Sequence, residues 1–155
     1  MHASSSSNLC ATLLRRVAEE ADEDFVGVGF LCYSSLASLH HISMAVPEHK
    51  AGALPLSGMD ALSGFLVDAS RSTSPLHDGF HLIASRTMTL THACQFISPS
   101  VRIANAKIKI PAGARRTTAL LASTTKGIDA AGLLAVDGTG VVYVSGLTIF
   151  EERLR

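Results

Sequence analysis

The spacing of apolar and polar residues changes period several times along the chain, and each change predicts an element. Across residues 9–21, LCATLLRRVAEEA, apolar side chains recur at helical spacing with charges on the other face, and Asn8 is placed to cap the start. Residues 26–33, VGVGFLCY, are a short, partly β-branched run punctuated by glycine, which suits a buried strand. Between 34 and 58 the pattern is mixed, with Pro47 and Pro55 among small and polar residues, so an irregular connection is expected. Helical spacing returns over 57–70, SGMDALSGFLVDAS, through Met59, Leu62, Leu66 and Val67, with Ser57 as its cap.

Beyond Pro75 the chain reads as extended. FHLIA (80–84), TLTHACQFI (89–97) and AKIKIP (106–111) are rich in β-formers and bounded by turn residues. The alternation Lys107-Ile108-Lys109-Ile110 predicts a half-exposed strand. TTALLAST (117–124) predicts a short helix and AAGLLAV (130–136) a buried strand. GVVYVSGLTIF (140–150) predicts the strand that follows a turn at Asp137-Gly138-Thr139-Gly140. Helices and strands mix without strict alternation, and no repeat or linker divides them. The expected fold class is therefore α/β of the α+β kind, a mixed central β-sheet flanked by helices. Residues 1–8, MHASSSSN, read as a flexible lead-in, and residues 9–155 as a single domain.

With 155 residues, of which 47% are hydrophobic, the chain can bury one sizeable core. Thirteen basic and thirteen acidic side chains cancel, so no overall field draws it to nucleic acid or to an anionic membrane. An anionic ligand must then be held by a local cluster. No apolar run is long enough to cross a bilayer as a helix, and the N-terminus lacks the basic start and apolar stretch of a secretory signal. Cys10, Cys32 and Cys94 are odd in number, widely spaced and free of a Cys-x-x-Cys pair. That usage argues against a disulfide framework and a zinc site and fits a reducing cytoplasm.

Polar residues gather at three places where the backbone must turn: His77-Asp78-Gly79, Gly113-Ala114-Arg115-Arg116-Thr117-Thr118, and Asp137-Gly138-Thr139-Gly140. In the second, glycine permits close approach, two guanidinium groups supply charge, and two threonines open a helix whose first amides are unpaired. Such a combination binds phosphate, and equally describes a solvated arginine pair at an ordinary helix start. An aspartate followed by glycine at the mouth of a strand can hold a phosphate-bridging divalent cation or serve as a turn carboxylate. If 77–81 is extended, His77 and His81 lie about 13 Å apart, too far to share an ion, so surface and core roles account for the histidines. Gly27 and Gly29 lack the third glycine of a dinucleotide fingerprint, and no P-loop, His-Glu-x-x-His or Gly-x-Ser-x-Gly is present.

Taken together, these clusters resemble the diadenylate cyclase domain, the family that joins two ATP molecules into cyclic di-AMP. Ser74-Pro75-Leu76-His77-Asp78-Gly79-Phe80 is similar to the family's Ser-Pro-Leu-His-Asp-Gly-Ala, differing at the last position. Gly113-Ala114-Arg115-Arg116-Thr117-Thr118-Ala119-Leu120 falls where the family has Gly-Thr-Arg-His-Arg-Ala-Ala-Ile. Asp129-Ala130 matches its Asp-Ala, and Asp137-Gly138-Thr139-Gly140 stands at its Glu-Glu-Thr-Gly, the likeness running from about residue 25 to 150. The resemblance implies that Asp78 holds the Mg²⁺ or Mn²⁺ that activates a ribose hydroxyl. It also implies that Gly79 lies against the nucleotide, that Arg115 grips phosphate, and that two facing domains form a homodimer. His77, Phe80, Gly113, Arg116, Thr117 and Thr118 would complete the nucleotide site.

The departures point elsewhere. Arg116 and Thr117 replace the His and second Arg of the family's triplet, Phe80 adds a ring where it can stack on a purine or block it, and Gly138 removes an acid. The resulting expectation is a nucleotide-binding domain, of altered phosphate grip, that binds or senses ATP or a cyclic dinucleotide. An active cyclase and a ligand-free interaction domain are the alternatives.

Overall fold

In a computed structural model of the chain, which describes residues 2–44, 54–100 and 108–155, the apolar run at 26–33 forms β1 (Val28–Tyr33). Its side chains alternate between two faces: Val28, Phe30 and Cys32 enter one core and Leu31 another. The first face is covered by α1 (His2–Glu20) and α2 (Met59–Ala69), the second by α3 (Ala114–Ala122). A strand covered on both sides has no polar face, which is why this run shows no alternation in sequence.

The sheet continues through β2 (His41–Ser43), β3 (Leu56–Ser57), β4 (Phe80–Ala84), β5 (Thr89–Ile97), β6 (Ile128–Leu134), β7 (Thr139–Val144) and β8 (Leu147–Arg153). Its order is β2-β5-β4-β1-β6-β7-β8, with β3 also on β5. β1 and β4 run parallel, Gly29 opposite Phe80 and Tyr33 opposite Ala84, while the other pairings are antiparallel. The molecule is thus a mixed sheet with helices on both faces, the expected α+β class. β4 and β5 fall on the residues predicted for them.

Four local expectations are corrected. α1 starts at His2, so the segment expected to be a flexible lead-in is helical from residue 2 and Asn8 is not its cap. Ser6 is buried one turn before Cys10, Leu13, Leu14 and Val17, and extends their stripe toward the N-terminus. α2 is capped by the backbone at Gly58, whereas Ser57 belongs to β3 and bonds Thr89 Oγ1 through its hydroxyl at 2.8 Å. Of the strand expected over 106–111, residues 106 and 107 lie outside the described residues and 108–111 are not in the sheet. Pro111 O instead accepts the Thr117 hydroxyl at 3.1 Å, which draws this segment to the start of α3. The single strand expected over 140–150 is a hairpin, β7 and β8, turning at Ser145 and Gly146, both at positive φ.

Candidate functional site

The starts of β4 and α3 meet at the same end of the sheet, and a close backbone approach sets their geometry. Gly79 is buried where a Cβ would stand 2.5 Å from Cys94 Cα and 2.7 Å from its carbonyl carbon. Only glycine lets the chain lie there. Cys94 has φ 51°, and the β4–β5 register slips between Phe80 and Leu82, the signature of a bulge. The Cys94 N–H is recovered by His81, whose Nδ1 accepts it at 3.2 Å. This packing leaves Asp78, one residue outside β4, with its carboxylate exposed.

His77 Nδ1 lies 2.6 Å from Ser74 O, and Nε2 lies 3.2 Å from Asp78 Oδ1, a contact that is an ion pair only when the ring carries both protons. Arg115, in the first turn of α3, donates from one terminal nitrogen to His77 O at 2.6 Å. Its other terminal nitrogen would stand 2.9 Å from a Cβ on Gly27. Burial pulls the Arg115 guanidinium down from its usual value, and Asp78 opposes that shift. The half-buried cation is thereby fixed beside an exposed anion.

Between them opens a cleft of about 300 Å³. Asp78, Arg115, Thr118 and Gln95 supply its polar lining, and Phe80, Phe96 and Ile97 most of its apolar lining. The remaining expected residues stand around the cleft without lining it. His77 is tied to Ser74 O and Gly79 lies against Cys94, and Gly113 is the backbone cap of α3. Arg116 faces Glu151 on β8 at 3.5 Å, and Thr117 is tied to Pro111 O. The Phe80 ring lies over Gly29, within 2.7 Å of where a Cβ would be, and is 6% exposed, so only its edge reaches the cleft. Asp137 accepts the Thr139 N–H at 2.9 Å and serves the β6–β7 turn.

Gln95, Phe96 and Ile97 were not anticipated. No motif marks them; the only trace is Phe96, a large apolar residue 56% exposed on β5, opposite Ile42, which is 66% exposed on β2. Asp129 is carried to the opposite end of the sheet. Its carboxylate accepts Ser34 Oγ at 3.1 Å and Ser85 Oγ at 2.6 Å and borders a larger cavity of about 780 Å³. The smaller cleft holds the motif residues, and chemistry rather than size recommends it. Among the described residues no three His, Cys, Asp or Glu side chains gather for a metal. One exposed carboxylate suits a hard cation whose other ligands are phosphate and water, and does not make an all-protein cage. No helix among the described residues is long and apolar enough to cross a membrane.

No family model matches the chain, and no curated protein matches it in sequence. Solved structures do match in fold. A hypothetical membrane spanning protein from Bacillus cereus aligns with TM-score 0.59 and 14% identity, covering 92% of this chain, which spans 61% of that protein. DacA from Staphylococcus aureus, a diadenylate cyclase solved as a double mutant, aligns with TM-score 0.54 and 15% identity, over 91% of this chain and 84% of its own. The fold is diadenylate-cyclase-like.

Proposed function

We propose that this domain binds ATP or a cyclic dinucleotide in the cleft between Asp78 and Arg115, as a nucleotide-binding or sensing module. The observation that carries the reading is a convergence. Two segments 38 residues apart are joined by the Arg115 to His77 hydrogen bond, and they present a carboxylate and a guanidinium to one cleft. A phosphate and its counter-cation require that pair. Arg115, Thr118 and the first amides of α3 contact phosphate, and Asp78 shares Mg²⁺ or Mn²⁺ with it.

Binding is favoured over catalysis by the altered triplet. With Arg116 facing Glu151 and Thr117 bonded to Pro111 O, Arg115 is the only guanidinium lining the cleft among the described residues. Phosphoryl transfer draws its rate from several charges placed around the transferring group. The homodimer expected from the resemblance is part of the proposal. At about 300 Å³ the cleft is at the lower end for a small-molecule site, and Phe96 in its lining, with Ile42 opposite it on β2, exposes apolar surface for a facing copy to cover. An active cyclase is the second reading, favoured by the unbroken SPLHDG and the outward Asp78 carboxylate.

Purified protein incubated with ATP and Mn²⁺ or Mg²⁺, with Asp78→Ala alongside, separates these readings when products are resolved by chromatography and mass. No product, with a nucleotide-dependent rise in Tm, is the expected result. Cyclic di-AMP from the unmutated protein alone establishes the cyclase. Neither turnover nor a Tm shift overturns both and leaves an interaction domain.

A further inference from the structure

Two of the three cysteines, far apart in sequence, meet in the core. Cys10 Sγ on α1 and Cys32 Sγ on β1 lie 3.3 Å apart, and both residues are wholly buried. They belong to the core on the α1 and α2 side of the sheet, whereas Cys94 sits in a separate cluster with its Sγ 3.9 Å from Pro75 O. A disulfide needs its sulfurs about 2.0 Å apart, so the pair must close by little more than 1 Å, a shift that packed side chains can take up. We propose that Cys10 and Cys32 are an oxidative cross-linking site, converted by hydrogen peroxide to a disulfide that ties α1 to the central strand.

One thiol, as its thiolate, attacks a peroxide oxygen; the O–O bond breaks, an S–O bond forms, and the first water leaves after taking up the displaced proton. The second thiolate attacks the sulfenic sulfur, forming the S–S bond and breaking S–O, and the second water leaves. Two thiols lose two electrons and the peroxide gains them. Burial, and then the neighbouring Cys32, push the Cys10 thiol up, so the closed core keeps it protonated and the reaction slow. Cross-linking is therefore expected on the timescale at which α1 lifts from the sheet.

The test treats the reduced 155-residue chain with hydrogen peroxide under native conditions, then unfolds and alkylates it. The proposal expects a mass lower by two hydrogens, a single alkylatable thiol, and reducible linkage between the tryptic peptides carrying Cys10 and Cys32. Cleavage at Arg15 and Lys50 separates the three cysteines. Closing 22 residues of chain should raise Tm by about 5–10 °C, reversed by dithiothreitol. Cys94→Ser should cross-link as the unmutated protein does, and Cys32→Ala should not. Three free thiols after treatment, sulfinic acid at either position, or linkage through Cys94 overturns it.

Discussion

His81 makes acid the sharpest probe of this core. It lies on β4 with no exposure, its Nδ1 accepts the Cys94 N–H at 3.2 Å, and Nε2 has no hydrogen-bond partner among the described residues. Phe65 meets the ring edge to face at 5.1 Å. Since Nδ1 is an acceptor, the neutral ring carries its proton on Nε2, and a second proton must break the bond to Cys94. Burial, reinforced by the Arg115 charge, lowers the pKa from 6.5 to about 3. The folded value is below the unfolded one, so the neutral ring's contribution to stability is fully present above pH 6.5 and is lost as pH falls toward 3. Between about pH 7 and pH 5 the unfolded ring takes up about 0.7 of a proton and the folded ring almost none, which removes about 2 kcal/mol of stability. Urea unfolding at those two pH values, on the protein and on His81→Gln, isolates the contribution. The glutamine amide oxygen can still accept the Cys94 N–H and does not titrate, while every other group titrates in both proteins. The unmutated protein should lose about 2 kcal/mol more than the variant over that interval. Equal losses would refute the assignment of a neutral, wholly buried imidazole.

Gly79→Ala should destabilise the fold by about 1–3 kcal/mol, because its Cβ meets Cys94 backbone and not a movable side chain; an unchanged urea midpoint would remove the close approach. Arg115→Ala should weaken ATP binding about 10–100-fold in equilibrium dialysis, the loss of a charged hydrogen bond, and equal affinity would take Arg115 out of the site. Arg116→Ala, which removes a side chain facing Glu151 and not the cleft, should change ATP affinity less than about twofold, and a loss of about tenfold would place Arg116 in the site.

Strands β4 and β5 were legible because each is an apolar run closed by turn residues, and local chemistry suffices for such runs. The hairpin of β7 and β8 was not, since Ser145-Gly146 is a weak turn signal inside an apolar stretch. For the candidate site, sequence alone marked Asp78 and Arg115 as chemistry-bearing. Arg115 and Arg116 are adjacent in sequence, but consecutive helical residues point about 100° apart, and the two guanidinium groups serve different neighbours. Phe80 was legible as a departure but not as a ring resting on Gly29, because that contact crosses from β4 to β1.

The mixed fold class, most of the elements and the motif that resembles a diadenylate cyclase are readable along the chain, since they depend on period, turn chemistry and residue order. Which polar residues share a cleft, which arginine faces it, and that Cys10 meets Cys32 emerge when the elements pack. Those relations join elements distant in the chain, and their distances follow from sheet order and layer packing, which periodicity within a segment does not encode.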